Sequence, residues 1–469
     1  MQEVRHFDLV VIGSGPAGET AAMQASKLKK RVALVERLDR LGGASLHTGT
    51  VPSKSLRETV VNLAMIRQQS HGIQIAFKEN LTTAELMFRK QHVIQEQENS
   101  LRRNLDKNRV AVLHGTPRFL SPNLLEITPN ESDEPYQISL DYAVIATGSS
   151  PRRPDWAPFD HECVFDSDTI LEIEQLPRKI TIIGAGVIGC EYACIFAKMG
   201  IRVNLIARDR DILPFLDREI SENLVFSMRN QRITLRLGEN VKAIRKVGPQ
   251  EMHVELESQK VLPCSTVLVA AGRLANSRNL GLEDIGVELG HNDLIVTNEH
   301  YQATLPNFYA AGDAIGFPGL ASTSVIQARI AVLHAFGGLQ NESMSREFPF
   351  GIWTIPPVAM VGQTEEELTK ACIPYEVGIA HFKEITRAHI MAEKDGILKL
   401  LFDPETLKIL GIHITGPRAT ELIHLGHSVM HFEGTIRYFI NAVFNSPTLD
   451  EAYRVAAFNG LNRLDYDSL

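Results

Sequence analysis

Short apolar runs alternate with glycine turns and helical stretches along most of this chain. Residues 7–12 (FDLVVI) read as a strand, 13–18 as a glycine turn, and the helical pattern that follows runs to about Lys30. Residues 31–35 form the next strand, which ends at Glu36. The same order recurs with Lys179–Ile183 (KITII), the turn 184–189, a helix over 191–200 and a strand over 201–206. This strand–turn–helix–strand order is that of a βαβ unit. Residues 141–148 (DYAVIATG) and 265–272 (STVLVAAG) are two similar strand-to-glycine endings, as though each unit closes in the same way. Residues 82–108 are rich in Glu, Gln, Arg and Lys and read as a long polar helix with a solvated face. From about Phe348 the pattern changes to alternating strands (GILKLLF, KILGIHI) followed by helices, an α+β unit of another kind. The most membrane-like run, 180–199, is broken by Glu191, Lys198 and three glycines. A spanning helix needs about 20 mostly apolar residues without such breaks.

Both turns read G-x-G-x-x-G between a strand and a helix. In the first, Gly13 permits the tight turn, Gly15 lets backbone approach a diphosphate, and Gly18 lets the helix pack on the strand, with Pro16 and Ala17 between them. The helix N-terminus supplies free N–H groups and partial positive charge. Glu36 lies 18 positions beyond Gly18, where a carboxylate can accept from ribose hydroxyls. Gly184, Gly186 and Gly189, with Val187 and Ile188, repeat the arrangement. Two such turns imply two dinucleotide sites, usually a tightly held flavin and an exchangeable nicotinamide coenzyme.

Composition bounds this reading. At about 150 residues per domain, 469 residues make roughly three domains. Acidic residues outnumber basic ones 56 to 48, which argues against nucleic acid as a partner. Five scattered cysteines (Cys163, Cys190, Cys194, Cys264, Cys372) do not make a disulfide framework and fit a reducing compartment. The polar start, residues 1–6, lacks the pattern of a signal peptide, so a soluble, cytoplasmic protein is expected.

Several blocks together resemble the pyridine nucleotide–disulfide oxidoreductase family over nearly the full length. They are residues 13–18, Gly42-Gly43 through Pro52-Ser53-Lys54, Ala146-Thr147-Gly148, 184–191, 304–313 (TLPNFYAAGD) and Pro447-Thr448. The resemblance implies an α/β protein with two Rossmann-like dinucleotide-binding domains, for FAD and NAD(P), and a C-terminal α+β dimerisation domain. It implies an FAD-binding domain split into 1–152 and 276–347, an NAD(P)-binding domain at 153–275 and the dimerisation domain at 348–469. A homodimer or higher homo-oligomer, no membrane and no metal are expected. By the same resemblance Asp313 holds the flavin ribityl chain, and Lys54, paired with Glu191, sits beside the isoalloxazine ring. Further cofactor contacts are implied for Arg37, Ala44, Ser45, Gly115, Thr116, Gly272, Arg273 and Gly312. Pro117 has no N–H and removes one backbone donor expected near the adenine.

The departures narrow the chemistry. Disulfide reductases of the family carry two cysteines before the P-S-K, and here Ser45 and Thr50 occupy those positions. Hydroxyls cannot cycle through a disulfide. Where the family reads H-P-T-x-x-E, this chain reads Ser446-Pro447-Thr448-Leu449-Asp450-Glu451, so the acid–base histidine is missing as well. What remains is hydride in and hydride out at one flavin face. That resembles the branch of the family that exchanges hydride between NADPH and NAD⁺ by a ping-pong mechanism. Two other readings are an NAD(P)H dehydrogenase passing electrons to a quinone or dye, and a non-catalytic interaction protein. In NAD-specific members the second strand of the nicotinamide unit ends in an acid. Here that position is Ala207, followed by Arg208 and Arg210, which suits a 2′-phosphate and admits both NADP(H) and NAD(H). His424, His427 and His431 share one helical face but read as packing of the dimerisation domain rather than as a metal site, and His47 falls in the flavin-proximal loop. Cys190 and Cys194, one helical turn apart, read as buried packing.

Overall fold

The computed structural model describes residues 4–68, 83–132, 134–338, 343–345 and 347–464. Each glycine turn is the bend of a βαβ unit. Arg5–Ile12, Pro16–Lys27 and Val32–Glu36 make the first, and Lys179–Ile183, Val187–Lys198 and Arg202–Ala207 the second. The second helix starts at Val187, four residues before the apolar periodicity predicts. Its first turn is built on the glycine motif, and Gly186 enters it in an extended conformation (φ −76°, ψ −174°). The first helix stops at Lys27 rather than Lys30, because Lys29 turns into a left-handed conformation (φ 61°). The long polar helix is Thr83–Lys107; Thr82 lies outside the described residues.

Among the described residues, the first unit centres on a seven-stranded sheet. Ala111–His114, Val32–Glu36, Arg5–Ile12 and Tyr136–Ile145 run parallel, and Leu124–Thr128 and Thr116–Ser121 continue antiparallel from the near half of Tyr136–Ile145. The far half of that strand pairs in parallel with Phe308–Ala310. The chain therefore returns to this sheet after building a second one. The second sheet is all parallel, in the order Thr234–Leu237, Arg202–Ala207, Lys179–Ile183, Thr266–Val269, Val164–Asp166. One of its faces is covered by an antiparallel meander, Val241–Gly248, Glu251–Leu256 and Val261–Cys264. The two passages between the sheets, Ser149–Pro151 and Arg273–Ala275, pair antiparallel with each other.

The third sheet is antiparallel, in the order Phe350–Ile352, Val358–Gly362, Ile409–Thr415, Ile397–Phe402, Glu376–His381. All six residues of Ile397–Phe402 are buried, because the strand is covered on both faces. Leu398, Leu400 and Phe402 pack in the core beneath helices Ala419–His431 and Glu451–Leu461. Ile397, on the opposite face, packs with the second unit. Lys399 shares that face and is fully buried. Its ammonium lies 2.8 Å from Asp217, 3.2 Å from Glu219 and in contact with Glu365. Asp217 also caps helix Arg218–Asn230 by accepting the Glu219 N–H, so one lysine ties the second unit to the third sheet. No helix among the described residues is long and apolar enough to cross a membrane.

Candidate functional site

The two glycine turns are sterically alike. A Cβ on Gly13 would come within 2.4 Å of the Ala146 carbonyl oxygen, and one on Gly184 within 2.2 Å of that of Ala270. On Gly18 or Gly189 it would strike the carbonyl oxygen of Gly13 or Gly184 at 1.8 Å. On Gly15 or Gly186 it would meet nothing within 4 Å. The outer glycines therefore let the chain close on itself. The middle ones leave open space before a helix N-terminus, whose unpaired N–H groups and dipole favour an anion.

A cavity of about 1930 Å³ runs from the first turn to the second unit. Small-molecule pockets span roughly 300–1,000 Å³, so this one has room for more than one nucleotide. From the first unit it is lined by Gly13, Gly15, Pro16, Ala17, Glu36, Arg37, Gly43, Ala44, Ser45, Lys54, Thr116, Ala146, Thr147, Gly148, Gly312 and Asp313. Val187, Ile188, Glu191 and Arg273 join from across it. Gly18, Gly42, Gly115, Gly184, Gly186, Gly189, Ala207, Arg208, Arg210 and Gly272 do not line it. Ala207 is buried at the end of its strand, and Arg208 and Arg210 are exposed just beyond it. The Arg208 guanidinium lies 3.6 Å from Asp209.

At the base of the first site, the Glu36 carboxylate accepts the Ser14 N–H at 3.0 Å, the Ser14 hydroxyl at 2.6 Å and the Leu38 N–H at 3.1 Å. These bonds hold the acid rigidly at the strand end. The buried hydroxyl oxygens of Thr48 and Thr147, both residues that line the cavity, have no hydrogen-bond partner among the described residues. His47 also lines it, with Nε2 2.7 Å from the Leu41 carbonyl oxygen.

Lys54, on helix Thr50–Gln68, meets Glu191, on helix Val187–Lys198, with Nζ 2.5 Å from Oε2. Glu191 is only 4% exposed, and its other oxygen accepts the backbone N–H of Trp353 at 2.9 Å. The Trp353 ring lies under the ammonium, 5.3 Å from Nζ to the ring centroid. Arg57, one turn after Lys54, donates to the carbonyls of Trp353 (3.0 Å) and Thr354 (3.1 Å). Three units thus hold one cation. Sequence reasoning missed Trp353; the available signal was that it is one of only two tryptophans in the chain.

Arg273 bridges the passages between the sheets. Its Nε donates to the Ser149 hydroxyl at 2.7 Å, and its Nη1 to Asp168 at 2.9 Å. Ser149 in turn donates to Asp313 at 2.6 Å. Cys163, Cys190, Cys194 and Cys264 are buried, Cys372 is exposed, and none of the five lines the cavity. Ser446 is exposed in the loop before helix Glu451–Leu461. Of the three histidines, His427 has Nε2 3.1 Å from the Glu347 carbonyl oxygen, and its ring lies 6.3 Å from that of His431.

The paired glycine turns, each opening on a helix N-terminus, and the cation between them define an α/β protein with two dinucleotide-binding units. Residues 7–328 match the model of the pyridine nucleotide-disulphide oxidoreductase family, and residues 348–457 match that family's dimerisation domain. The chain belongs to this family. It is 42% identical over 462 residues to a soluble pyridine nucleotide transhydrogenase of Mycobacterium tuberculosis, covering 98% of each chain. It is also 42% identical over 470 residues to one of Yersinia pestis, covering 99% of this chain and 100% of that one. Among solved structures, the HOCl-induced flavoprotein disulfide reductase RclA of Escherichia coli is similar with a TM-score of 0.88 at 25% identity, covering 97% of this chain and 99% of that one. LpdA of Mycobacterium tuberculosis shares the fold with a TM-score of 0.89 at 23% identity, over 97% of this chain and 99% of that one.

Proposed function

We propose that this protein is an FAD-dependent transhydrogenase that moves hydride from NADPH to NAD⁺. The observation that carries the reading is a cavity shared by both dinucleotide units, with the Lys54–Glu191 pair inside it and no cysteine in its walls. The residues present fit a flavin dinucleotide: an open glycine at a helix N-terminus for the diphosphate, Glu36 for a ribose, and two unsatisfied threonine hydroxyls for polar edges. FAD, when bound, supplies the hydride acceptor and donor. Gly13 to Gly18, Glu36, Arg37, Gly42 to Ser45, Gly115, Thr116, Ala146 to Gly148, Gly312 and Asp313 would hold it. Lys54 places positive charge where negative charge develops, and Glu191 and Trp353 keep that ammonium in place. Gly184, Gly186, Gly189, Val187 and Ile188 would bind the coenzyme diphosphate, with Gly272 and Arg273 beside it. Ala207, Arg208 and Arg210 would admit a 2′-phosphate. Residues 1–152 with 276–347, 153–275 and 348–469 act as FAD, NAD(P) and dimerisation domains of a cytoplasmic homodimer.

The decisive test is optical. Purified protein should be yellow, bleach with NADPH and recolour with NAD⁺, and initial-rate lines should run parallel. Rapid quinone reduction with little hydride exchange would reject the reading. Coenzyme selectivity is separable: Arg208→Ala should raise KM for NADPH about tenfold and leave KM for NAD⁺ within twofold, since a charge-assisted phosphate contact contributes about 1.5 kcal/mol. Equal losses would mean that Arg208 does not read the phosphate. The middle glycine gives a second test. Gly186→Ala should fold normally, because its Cβ meets no protein atom, and should bind both coenzymes about ten- to a hundredfold more weakly. Gly189→Ala, with its 1.8 Å clash, should fail to form the turn; melting curves and calorimetry distinguish the two.

A further inference from the structure

Tyr192 follows Glu191 on helix Val187–Lys198. Val187, Ile188, Glu191 and Tyr192 recur at i, i+1, i+4 and i+5, so they share one face, and all four line the cavity. Tyr192 is 3% exposed, and its ring stacks near Phe196 with centroids 6.2 Å apart. Its hydroxyl oxygen is buried and has no hydrogen-bond partner among the described residues. A buried tyrosine hydroxyl ordinarily finds a partner, because leaving it unsatisfied forfeits its hydration for nothing. Burial, reinforced by the negative charges of Glu191 and Asp168, pushes the phenol's ionisation well up. The group is therefore a neutral O–H donor at any working pH. Lys54 and Glu191 leave it without a task in the hydride transfer described above.

We infer that the Tyr192 hydroxyl is a coenzyme-binding group that hydrogen-bonds the nicotinamide-riboside half of the coenzyme lying along this helix face. The inference rests on the transhydrogenase reading: hydride transfer brings the nicotinamide ring to Lys54 and Glu191, so the part of the coenzyme that passes Tyr192 is the nicotinamide end. That half is identical in NAD(H) and NADP(H). Tyr192 therefore tightens both coenzymes without discriminating between them, whereas selectivity lies at Arg208 and Arg210 at the far end of strand Arg202–Ala207.

Tyr192→Phe keeps the ring and its stacking and removes only the oxygen. Calorimetric titration of the FAD-loaded variant with NADP⁺ and with NAD⁺ should show both Kd values raised about tenfold, by the same factor. Melting of the coenzyme-free enzyme should be unchanged or higher. Unchanged Kd values would overturn the inference, and so would a loss confined to NADP⁺. A lowered melting temperature without coenzyme would also overturn it, because the hydroxyl would then serve the fold. Hydride exchange by the wild type is measured separately, so failure of the transhydrogenase reading is told apart from failure of this one.

Discussion

Lys54→Met should slow NADPH-driven bleaching at saturating coenzyme by about 10²–10³-fold, the usual loss when a preorganised charge-stabilising donor is removed. Methionine preserves the length of the stem, so packing of helix Thr50–Gln68 should survive and FAD content should stay near wild type. Arg57, one turn along the same helix, does not take its place, because its guanidinium is committed to the carbonyls of Trp353 and Thr354. Glu191 would remain buried, hydrogen-bonded by the Trp353 N–H and with the Arg57 charge nearby. Lys54→Arg, which keeps charge but changes its shape, should retain more activity than Lys54→Met. Stopped-flow absorbance reads both rates, and a loss below threefold for Lys54→Met would remove the ammonium from the chemistry.

Lys399→Met should destabilise the protein by about 3–5 kcal/mol, the range for breaking a buried charge cluster by removing one partner. The lysine faces the buried Asp217 and the partly exposed Glu219 and Glu365, so its loss leaves Asp217 buried without its cation and beside two further carboxylates. Neutralising two of them in the same chain, with Asp217→Asn and Glu365→Gln, should recover most of the loss, since asparagine still caps helix Arg218–Asn230. Denaturant midpoints of the wild type and of the single and triple variants decide this. A Lys399→Met midpoint equal to the wild type's would mean the cluster contributes nothing, and a triple variant no better than the single one would mean the stranded carboxylates are not the cause of the loss. The joint also has a signed pH dependence. Burial would lower the Lys399 ionisation, but its bonds to Asp217 and Glu365 outweigh burial and raise it. That contribution is complete below the ordinary lysine value of about 10.4 and is lost as pH rises through the raised one. For Asp217, burial works upward, but the charge of His413 and the Lys399 bond prevail and lower its ionisation. Its contribution is complete above the ordinary aspartate value of about 3.9 and is lost as pH falls through the lowered one. The joint should therefore hold across neutral pH and open at both extremes.

The parts legible in the chain were those whose physics is local. A glycine turn between an apolar strand and a helix carries its own steric reason, because Gly13 and Gly18 act on atoms brought together by the same unit. Both βαβ units were readable for that cause, although helix starts slipped: a first turn made of glycines has no apolar period to show. The pairing of Lys54 with Glu191 was legible only through family resemblance, since nothing in the spacing of residues 137 apart announces a contact. Trp353, 162 residues from Glu191, and Lys399, 182 from Asp217, left no such trace. A lysine in the run ILKLLF reads as a solvated strand position until the sheet is seen to be covered on both faces.

By itself the sequence determined the two glycine turns, the acid at Glu36, the arginines after Ala207 and the absence of thiols at positions 45 and 50. Each is a property of residue type at a fixed local offset, and no folding is needed to read it. Only the tertiary structure decided which side chains share the cavity. It placed a tryptophan just past the first strand of the C-terminal sheet under the Lys54 ammonium, and it buried the Tyr192 hydroxyl without a partner among the described residues and Lys399 beside three carboxylates. Contacts between residues far apart in the chain depend on how whole sheets stack, and that information is carried by no single stretch of it.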